Sequence, residues 1–265
     1  IKSDNSNNKI KKIIQSSELN TVFHLASLTC VRESLKKTKE YYKNYQSQIK
    51  FIKNLKNTNI KYFIFSSSLS IFEKNKYKSN LSAYSRYKLV IEKYLKKIAS
   101  QNFKVIILRY PNIIGSSADG KLGEKNSFIS RIVPSFYKNI IKKKINILFY
   151  DFSKKSFPKR NYMHVEDIAD INVKVIQNLK KFKKNYHVFN INNQKQYSNI
   201  DVLNAMSKIM KKKPEYSLKQ ISKKESMSQY YKSKDNLTKY INFNVKYESL
   251  EKILKTNIKW FKKIY

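Results

Sequence analysis

The 265-residue chain carries 56 Lys and Arg residues against 18 Asp and Glu residues, and 41% of its residues are hydrophobic. This apolar content can fill a core and argues against a disordered chain. The net charge of +38 favours a polyanionic partner, but it is mostly lysine spread along the whole chain, which indicates a compositional bias rather than nucleic-acid binding.

Cysteine and histidine are too sparse in the sequence for a disulfide framework or a metal cluster. Cys30 is the only cysteine, and His24, His164 and His187 are far apart. No apolar run approaches the ~20 residues that span a bilayer, and no secretory signal is visible. We therefore expect a soluble, cytoplasmic protein without a metal ion, a membrane partner or a specific nucleic-acid partner.

The first half of the chain alternates predicted helices and strands. Helices are predicted at 8–19, at 33–55 and from Tyr84, with strands at 21–26, 60–66 and 103–108. This alternation indicates an α/β protein built on a parallel sheet with helices on both faces. Ligands of such sheets bind beyond the carboxyl ends of the strands, so the segments 26–27, 66–68 and 110–112 should face one crevice.

The pattern changes after Gly115, and all three glycines of the chain fall between residues 115 and 123. Helices are predicted at 128–142, 168–179, 198–210, 234–241 and 249–265, with strands at 145–150 and 188–191. Asp167 is predicted to cap the second of these helices, and Ser198 with Asp201 resembles a capping box for the third.

A tyrosine and a lysine four residues apart follow the strand that ends in Ser66–Ser68. On a helix, Tyr84 and Lys88 lie on the same face, which brings the ammonium near the phenol. A tyrosine must lose roughly 3 pKa units from ~10 to act as a base near neutral pH, and a neighbouring cation favours the phenolate. Ser68 can add a hydrogen bond. The chain has 20 tyrosines, so the pair could arise by chance, but its position after the strand end favours catalysis.

Taken in order, these segments resemble the extended short-chain dehydrogenase/reductase family, also called the NAD-dependent epimerase/dehydratase family, and within it the UDP-glucose (UDP-galactose) 4-epimerases. The matching stretches are 22–26, 31–34, 40–44, 63–68, Tyr84-x-x-x-Lys88, 108–112, 120–124 and 160–170. The resemblance implies a Rossmann-like doubly wound parallel sheet over residues 1–111 that binds NAD. It also implies a smaller α/β substrate domain over residues 112–265, with about 160–185 returning to the first domain.

The resemblance also implies roles for individual residues. Tyr84 would remove the C4 hydroxyl proton of a UDP-sugar, Lys88 would lower the pKa of Tyr84 and hold the nicotinamide ribose, and Ser68 would bond the reacting oxygen. The other implied NAD-site residues are Asp4, Ala26, Ser27, Asn44, Ser66 and Tyr110. The other implied substrate residues are Asn112, Arg131, Arg160 at the diphosphate, Lys223, and Tyr230 beside the sugar C2 substituent.

The resemblance further implies a homodimer formed through the helices at about 33–55 and 84–99. By the same comparison, about fifty residues are expected to be missing before Ile1, including the glycine-rich turn that holds the NAD pyrophosphate. A fragment, a wrongly assigned gene start and a decayed copy all fit this expectation. We therefore expect the 265-residue chain alone to bind NAD poorly.

Two other functions stay open on the sequence. A sugar-nucleotide 4,6-dehydratase, or another NAD-dependent sugar-nucleotide enzyme, would resemble this chain. However, a dehydratase has acidic residues where this chain has Leu69 and Ser70, and water elimination needs an acid and a base. A non-catalytic basic binding protein is the alternative from another class.

Overall fold

The computed structural model describes residues 8–55, 58–73, 76–77, 79–124, 131–192, 195–223 and 237–265. The helices are α1 (Asn8–Gln15), α2 (Val31–Lys36), α3 (Thr38–Leu55), α4 (Ala83–Ile98), α5 (Ile132–Ile141), α6 (Val165–Gln177), α7 (Asn199–Met210) and α8 (Leu250–Ile264). The strands are β1 (Thr21–His24), β2 (Tyr62–Ser68), β3 (Phe72–Glu73), β4 (Lys76–Tyr77), β5 (Lys104–Tyr110), β6 (Asn112–Ile114), β7 (Asn146–Tyr150), β8 (Lys159–His164), β9 (Tyr186–Asn190), β10 (Gln196–Ser198) and β11 (Tyr216–Gln220).

The main sheet has four parallel strands in the order β1-β2-β5-β9. Successive side chains of its central strands point to opposite faces, and both faces are buried. On one face, Phe63 and Phe65 pack with Ile91 and Leu95 of α4 in one hydrophobic cluster. On the other face, Ile64 belongs to a second hydrophobic cluster. That second cluster contains Ile106, Leu108, Ile168, Ile171 and Val175, the last three from α6. The predicted α/β fold, a doubly wound parallel sheet, is therefore confirmed.

Five other strands, β6, β7, β8, β10 and β11, lie beside α5, α7 and α8, and we call these elements the second group. Strands β3 and β4 form a separate two-stranded sheet. β6 pairs with β8 in parallel, β10 pairs with β8 antiparallel, and β7 pairs with β11 in parallel. The core of the second group contains Val133, Phe136, Leu148, Val202, Leu203, Met206, Leu254 and Phe261. Directly after β6, Gly115 has a φ of +102°, and a Cβ atom there would clash with the His164 ring. Both facts require glycine at this position.

Several predicted boundaries differ from the structure. The helix predicted at 33–55 is two helices, α2 and α3, which are interrupted at Lys37. Asp167 is not the cap of α6, because His164 Nδ1 accepts the hydrogen bond from the Glu166 N–H at 3.1 Å. Asp167 instead accepts hydrogen bonds from the backbone N–H groups of Lys246 and Tyr247, so its carboxylate anchors a distant loop.

Some predictions for the C-terminal part of the chain are confirmed and others are not. The capping box of Ser198 and Asp201 is confirmed at the start of α7. Within the described part of the predicted helix 234–241 there is only a short 3-10 turn, Leu237–Lys239. Strands β6, β8, β10 and β11 were not predicted. No helix among the described residues is both long and apolar enough to cross a bilayer.

Candidate active site

A cavity of about 330 Å³ lies where the carboxyl ends of β2 and β5 face the second group. Seven residues that the sequence singled out line it: Ser66, Ser68, Tyr84, Tyr110, Asn112, Arg131 and Arg160. A smaller cavity beside it is lined by Ser27, Asn44, Lys88 and again Tyr84. Tyr84 therefore lies at the junction of the two cavities.

The position of Tyr84 follows from how α4 begins. Ser82 caps the helix by accepting a hydrogen bond from the Ser85 N–H at 3.3 Å, which places Tyr84 in the first turn. Burial raises the pKa of the Tyr84 hydroxyl, while hydrogen bonding to Ser68 and the charge of Arg131 lower it. Desolvation of the phenolate outweighs these two effects, so the pKa of Tyr84 is raised overall, and the effect expected of Lys88 stays a prediction.

Lys88 is buried beneath Tyr84. Its Nζ donates a hydrogen bond to the Ser66 carbonyl at 2.7 Å and lies 5.9 Å from the centroid of the Tyr84 ring. Burial lowers the pKa of Lys88 to about 7, although Glu92 opposes the shift. A lysine with this pKa changes its protonation state near neutral pH, whereas a free lysine does so near ~10.4.

The wall of the smaller cavity is a network around the Asn44 side chain. Its Oδ1 accepts hydrogen bonds from Ser27 Oγ at 3.2 Å, the Leu28 N–H at 3.3 Å and Gln48 Nε2 at 2.8 Å. Gln48 was missed by the sequence analysis, although its position four residues after Asn44 places it on the same helix face. The hydroxyl and amide groups of this network bond one another in the structure, so their contact with a cofactor stays a prediction.

Other residues expected at the cofactor contribute less to these walls. Tyr110 lines the larger cavity, but its hydroxyl donates to Asn172 Oδ1 of α6 at 2.7 Å, and burial raises its pKa. Ala26 is exposed just after β1 and lines neither cavity. Asp4 lies outside the described residues.

Arg131 joins the second group to the main sheet across the larger cavity. Its Nη2 donates to Thr29 Oγ1 at 2.6 Å, and its Nη1 lies 2.9 Å from Glu124 Oε1. Burial raises the pKa of Glu124, and Arg131 opposes that shift. Thr29 and Glu124 were not predicted as site residues.

The opposite wall is formed by β6 and β8. Asn112 and Tyr162 are register partners on these strands, and Arg160 is two residues before Tyr162, so all three share one face. Asn199 also lines the cavity and donates from Nδ2 to the Phe149 carbonyl at 2.7 Å. Sequence reasoning missed Tyr162 and Asn199, since nothing local to either residue marks it as facing a ligand.

Two predicted substrate residues remain. Lys223 is exposed and lines neither cavity, and Tyr230 lies outside the described residues. Where a dehydratase needs an acid and a base, Leu69 is buried and Ser70 Oγ lies 2.8 Å from Ser85 Oγ. Over the described parts of the chain, no cluster of His, Cys, Asp and Glu is arranged to hold a metal ion.

Comparisons with known proteins agree with this geometry. The profile of the NAD dependent epimerase/dehydratase family matches residues 3–192. A UDP-glucose 4-epimerase of Lactobacillus helveticus is 28% identical over 213 residues, covering 76% of this chain and 64% of that protein. One from Pasteurella multocida is 28% identical over 225 residues, covering 79% and 66% respectively. The matched part of the chain thus spans just under two thirds of these curated relatives.

Solved structures share the fold over nearly the whole chain. The UDP-glucose 4-epimerase from Bifidobacterium longum, solved in complex with NAD+ and UDP, superimposes with a TM-score of 0.88 and 23% identity, covering 99% of this chain and 82% of that one. The UDP-N-acetylglucosamine 4-epimerase from Methanobrevibacter ruminantium, solved with UDP-N-acetylmuramic acid, gives a TM-score of 0.81 at 23% identity, covering 100% and 83%.

Proposed function

The chain belongs to the NAD-dependent epimerase/dehydratase family, and from this premise we propose that the protein epimerises a UDP-hexose at C4, with UDP-glucose and UDP-galactose as the exchanging pair. The observation that carries the proposal is the placement of Tyr84 between the two cavities, with Ser68 beside it and Arg160 and Asn112 on the facing wall. The relatives named as UDP-glucose 4-epimerases support this choice of substrate pair.

In the proposed reaction, NAD would supply the hydride acceptor and donor for C4 of the sugar, and Ser27, Asn44 and Lys88 at the smaller cavity would hold it. The residues of this chain move the proton and hold the substrate. Tyr84 removes the C4 hydroxyl proton as the sugar becomes a 4-keto species. After this intermediate rotates and the hydride returns to the other face of C4, Tyr84 gives the proton back to the same oxygen. Ser68 bonds the same oxygen, so it stabilises the charge that develops there.

The rest of the site holds the sugar nucleotide. Arg160 presents a planar, permanently charged fork, which suits phosphate oxygens. Asn112 lies beside it on the same sheet and offers both a donor and an acceptor. Arg131 spans from α5 to Thr29 and closes the cavity on the side of Tyr84. A ligand held this way exposes only its sugar to Tyr84 and Ser68.

The test is Tyr84→Phe in the full-length protein supplied with NAD. Phenylalanine keeps the ring but has no hydroxyl, so UDP-galactose turnover should fall by about 10²- to 10⁴-fold. The control is Tyr94→Phe, because Tyr94 is on the same helix but packs against the core behind the sheet. Turnover by Tyr84→Phe within about tenfold of the parent would contradict the assignment of Tyr84 as the base.

A further inference from the structure

Two turns of the second group lie side by side at the amino end of the sheet formed by β7 and β11. One turn joins α5 to β7, and the other joins α7 to β11. The two strands are parallel with Asn146 opposite Tyr216, and the Asn146 N–H donates to the Glu215 carbonyl at 2.9 Å. Residues 141–145 and 211–216 therefore lie at the same end of this sheet, and we call them the paired turns.

The paired turns concentrate positive charge on one part of the surface. They hold one acid, Glu215, and six exposed lysines: Lys142, Lys143, Lys144, Lys211, Lys212 and Lys213. Within the described residues none of the six forms an ion pair. The nearby Lys208 of α7 is paired with Glu251 at 3.1 Å, so these two charges cancel. Because the fold brings together two lysine runs that are far apart in sequence, a local positive potential arises here.

Exposed apolar side chains lie among these lysines. Ile141, Ile145 and Tyr216 are 42%, 56% and 52% exposed, respectively. Single exposed apolar residues are common on any protein surface, but here three of them adjoin one basic cluster. The other basic run, residues 180–184, differs because its apolar residue, Phe182, is buried. Proteins that bind membrane surfaces combine lysines, which contact anionic lipids, with apolar side chains that enter the headgroup region.

The paired turns lie at the opposite end of β7 from the larger cavity. Near the carboxyl end of β7, the centroid of the Phe149 ring lies 3.5 Å from the guanidinium carbon of Arg32, which lines that cavity. A strand rises ~3.3 Å per residue, so Asn146 at the start of β7 is roughly 10 Å from Phe149 along the strand. Ligand binding in the cavity therefore does not account for the lysines of the paired turns.

We propose that the paired turns dock the protein onto a membrane surface rich in anionic lipids. The lysines contact the lipid headgroups, and Ile141, Ile145 and Tyr216 enter the headgroup region. The expectation of no membrane partner rested on the absence of a long apolar run, which a peripheral contact does not need. A nucleic acid would also attract the lysines, but aliphatic side chains do not stack on bases, so it would leave Ile141 and Ile145 without a role. The proposal is independent of the proposed enzymatic function.

The test measures how the full protein sediments with vesicles of phosphatidylcholine that contain about 30% phosphatidylserine, and with vesicles of phosphatidylcholine alone. The parent protein should bind only the anionic vesicles, and more weakly as the salt concentration rises. The triple variant Lys142→Gln, Lys143→Gln and Lys144→Gln should bind them about 10- to 100-fold more weakly, because each lysine near the surface adds to the attraction.

Two further variants separate a docking surface from diffuse charge. The matched control combines Lys181→Gln, Lys183→Gln and Lys184→Gln, which removes the same charge from an exposed run without an exposed apolar residue. Its vesicle binding should stay within about threefold of the parent. Ile145→Ser keeps every charge, so it should weaken vesicle binding by about 3- to 10-fold and leave binding to polyuridylate unchanged.

Each outcome supports or overturns the proposal. A parent protein that does not sediment with the anionic vesicles overturns it. Equal losses in the two triple variants also overturn it, because attraction would then follow the net charge rather than the paired turns. Full vesicle binding by Ile145→Ser overturns it as well, since charge alone would then hold the protein. If polyuridylate binding depends on the lysines at 142–144 and vesicles are not bound, the surface belongs to a nucleic acid and the membrane proposal fails.

Discussion

Burial changes the ionisation of single residues behind the cavities, and His24 is the clearest case. It is buried at the end of β1 among the rings of Phe51, Phe63 and Phe65, with centroid distances of 5.6 to 5.9 Å. Within the described residues neither of its ring nitrogens has a hydrogen-bond partner. Burial lowers the pKa of His24 to about 4, and the nearby charge of Lys88 adds to the effect.

This pKa predicts how stability depends on pH. Between about pH 4 and pH 6.5 the unfolded chain binds a proton at His24 that the folded protein does not. The free energy of unfolding should therefore decrease as the pH falls through that window. In His24→Phe this contribution should vanish, which makes the variant less sensitive to pH by about 3 kcal/mol between pH 7 and pH 4. Urea unfolding of both proteins at pH 4 and pH 7 measures the difference, and parallel pH dependences would reject the prediction.

The residues that gather at the cavity show how far sequence reasoning reaches. Ser68 and Tyr84 could be named in advance from the local pattern around them, whereas Asn112 and Arg160 were named from the family resemblance. Arg32 and Phe149 are 117 positions apart and meet only because the second group folds over α2. No local pattern marks such a contact. The raised pKa of Tyr84 could not be predicted locally either, because it results from burial, and burial is a property of the whole fold.

At the scale of elements, a buried ion pair locks α4 onto the main sheet. Arg109 at the end of β5 donates to both carboxylate oxygens of Glu92, from Nε at 3.0 Å and from Nη2 at 2.6 Å. Ser67 of β2 donates a further hydrogen bond to Glu92. Glu92 lies one turn after Lys88 and two turns after Tyr84, so this contact fixes the rotation of the helix that presents both residues.

Removing one partner of this ion pair should destabilise the fold by more than the intact pair contributes to stability. In Glu92→Gln the Arg109 charge stays buried without its partner, and such losses typically destabilise by about 3–5 kcal/mol. The double variant Glu92→Gln with Arg109→Met should be less destabilised than the sum of the two single variants, because no lone charge remains. Urea denaturation of the four proteins gives the coupling energy. Additive effects of the two substitutions would show that the ion pair does not link α4 to β5.

The success of element prediction depended on burial. β2 and β5 lie inside the sheet and are buried on both faces, so each reads as a continuous apolar run. All five residues of β11 are exposed, so that strand has no hydrophobic alternation to detect. The break between α2 and α3 was equally hidden, since a single non-helical residue between two helices leaves the apolar spacing nearly intact.

At the scale of the whole molecule, the positive charge and the aromatic surface of α3 and α4 bear on assembly. Tyr42, Tyr45 and Tyr87 form a cluster that bridges the two helices, with the Tyr45 and Tyr87 rings stacked at 4.9 Å. Tyr42 is 47% exposed. Tyrosine is enriched in interface cores, whereas lysine is depleted there. We therefore propose that this surface forms the interface of a homodimer.

The net charge of +38 makes this association dependent on salt. Two such chains repel each other, and the repulsion is screened as ionic strength rises, because the Debye length falls from about 30 Å at 0.01 M to about 8 Å at 0.15 M. Light scattering should therefore show a larger dimer fraction at 0.15 M than at about 0.01 M salt.

Tyr42→Lys should shift the protein to monomer at both salt concentrations, by adding a charge inside the interface. Ile147→Lys is the matched control, because Ile147 is equally exposed at 48% but lies on β7, away from α3 and α4. A parent protein that stays monomeric at both salt concentrations would exclude the homodimer, and equal effects of the two lysine substitutions would place the interface elsewhere.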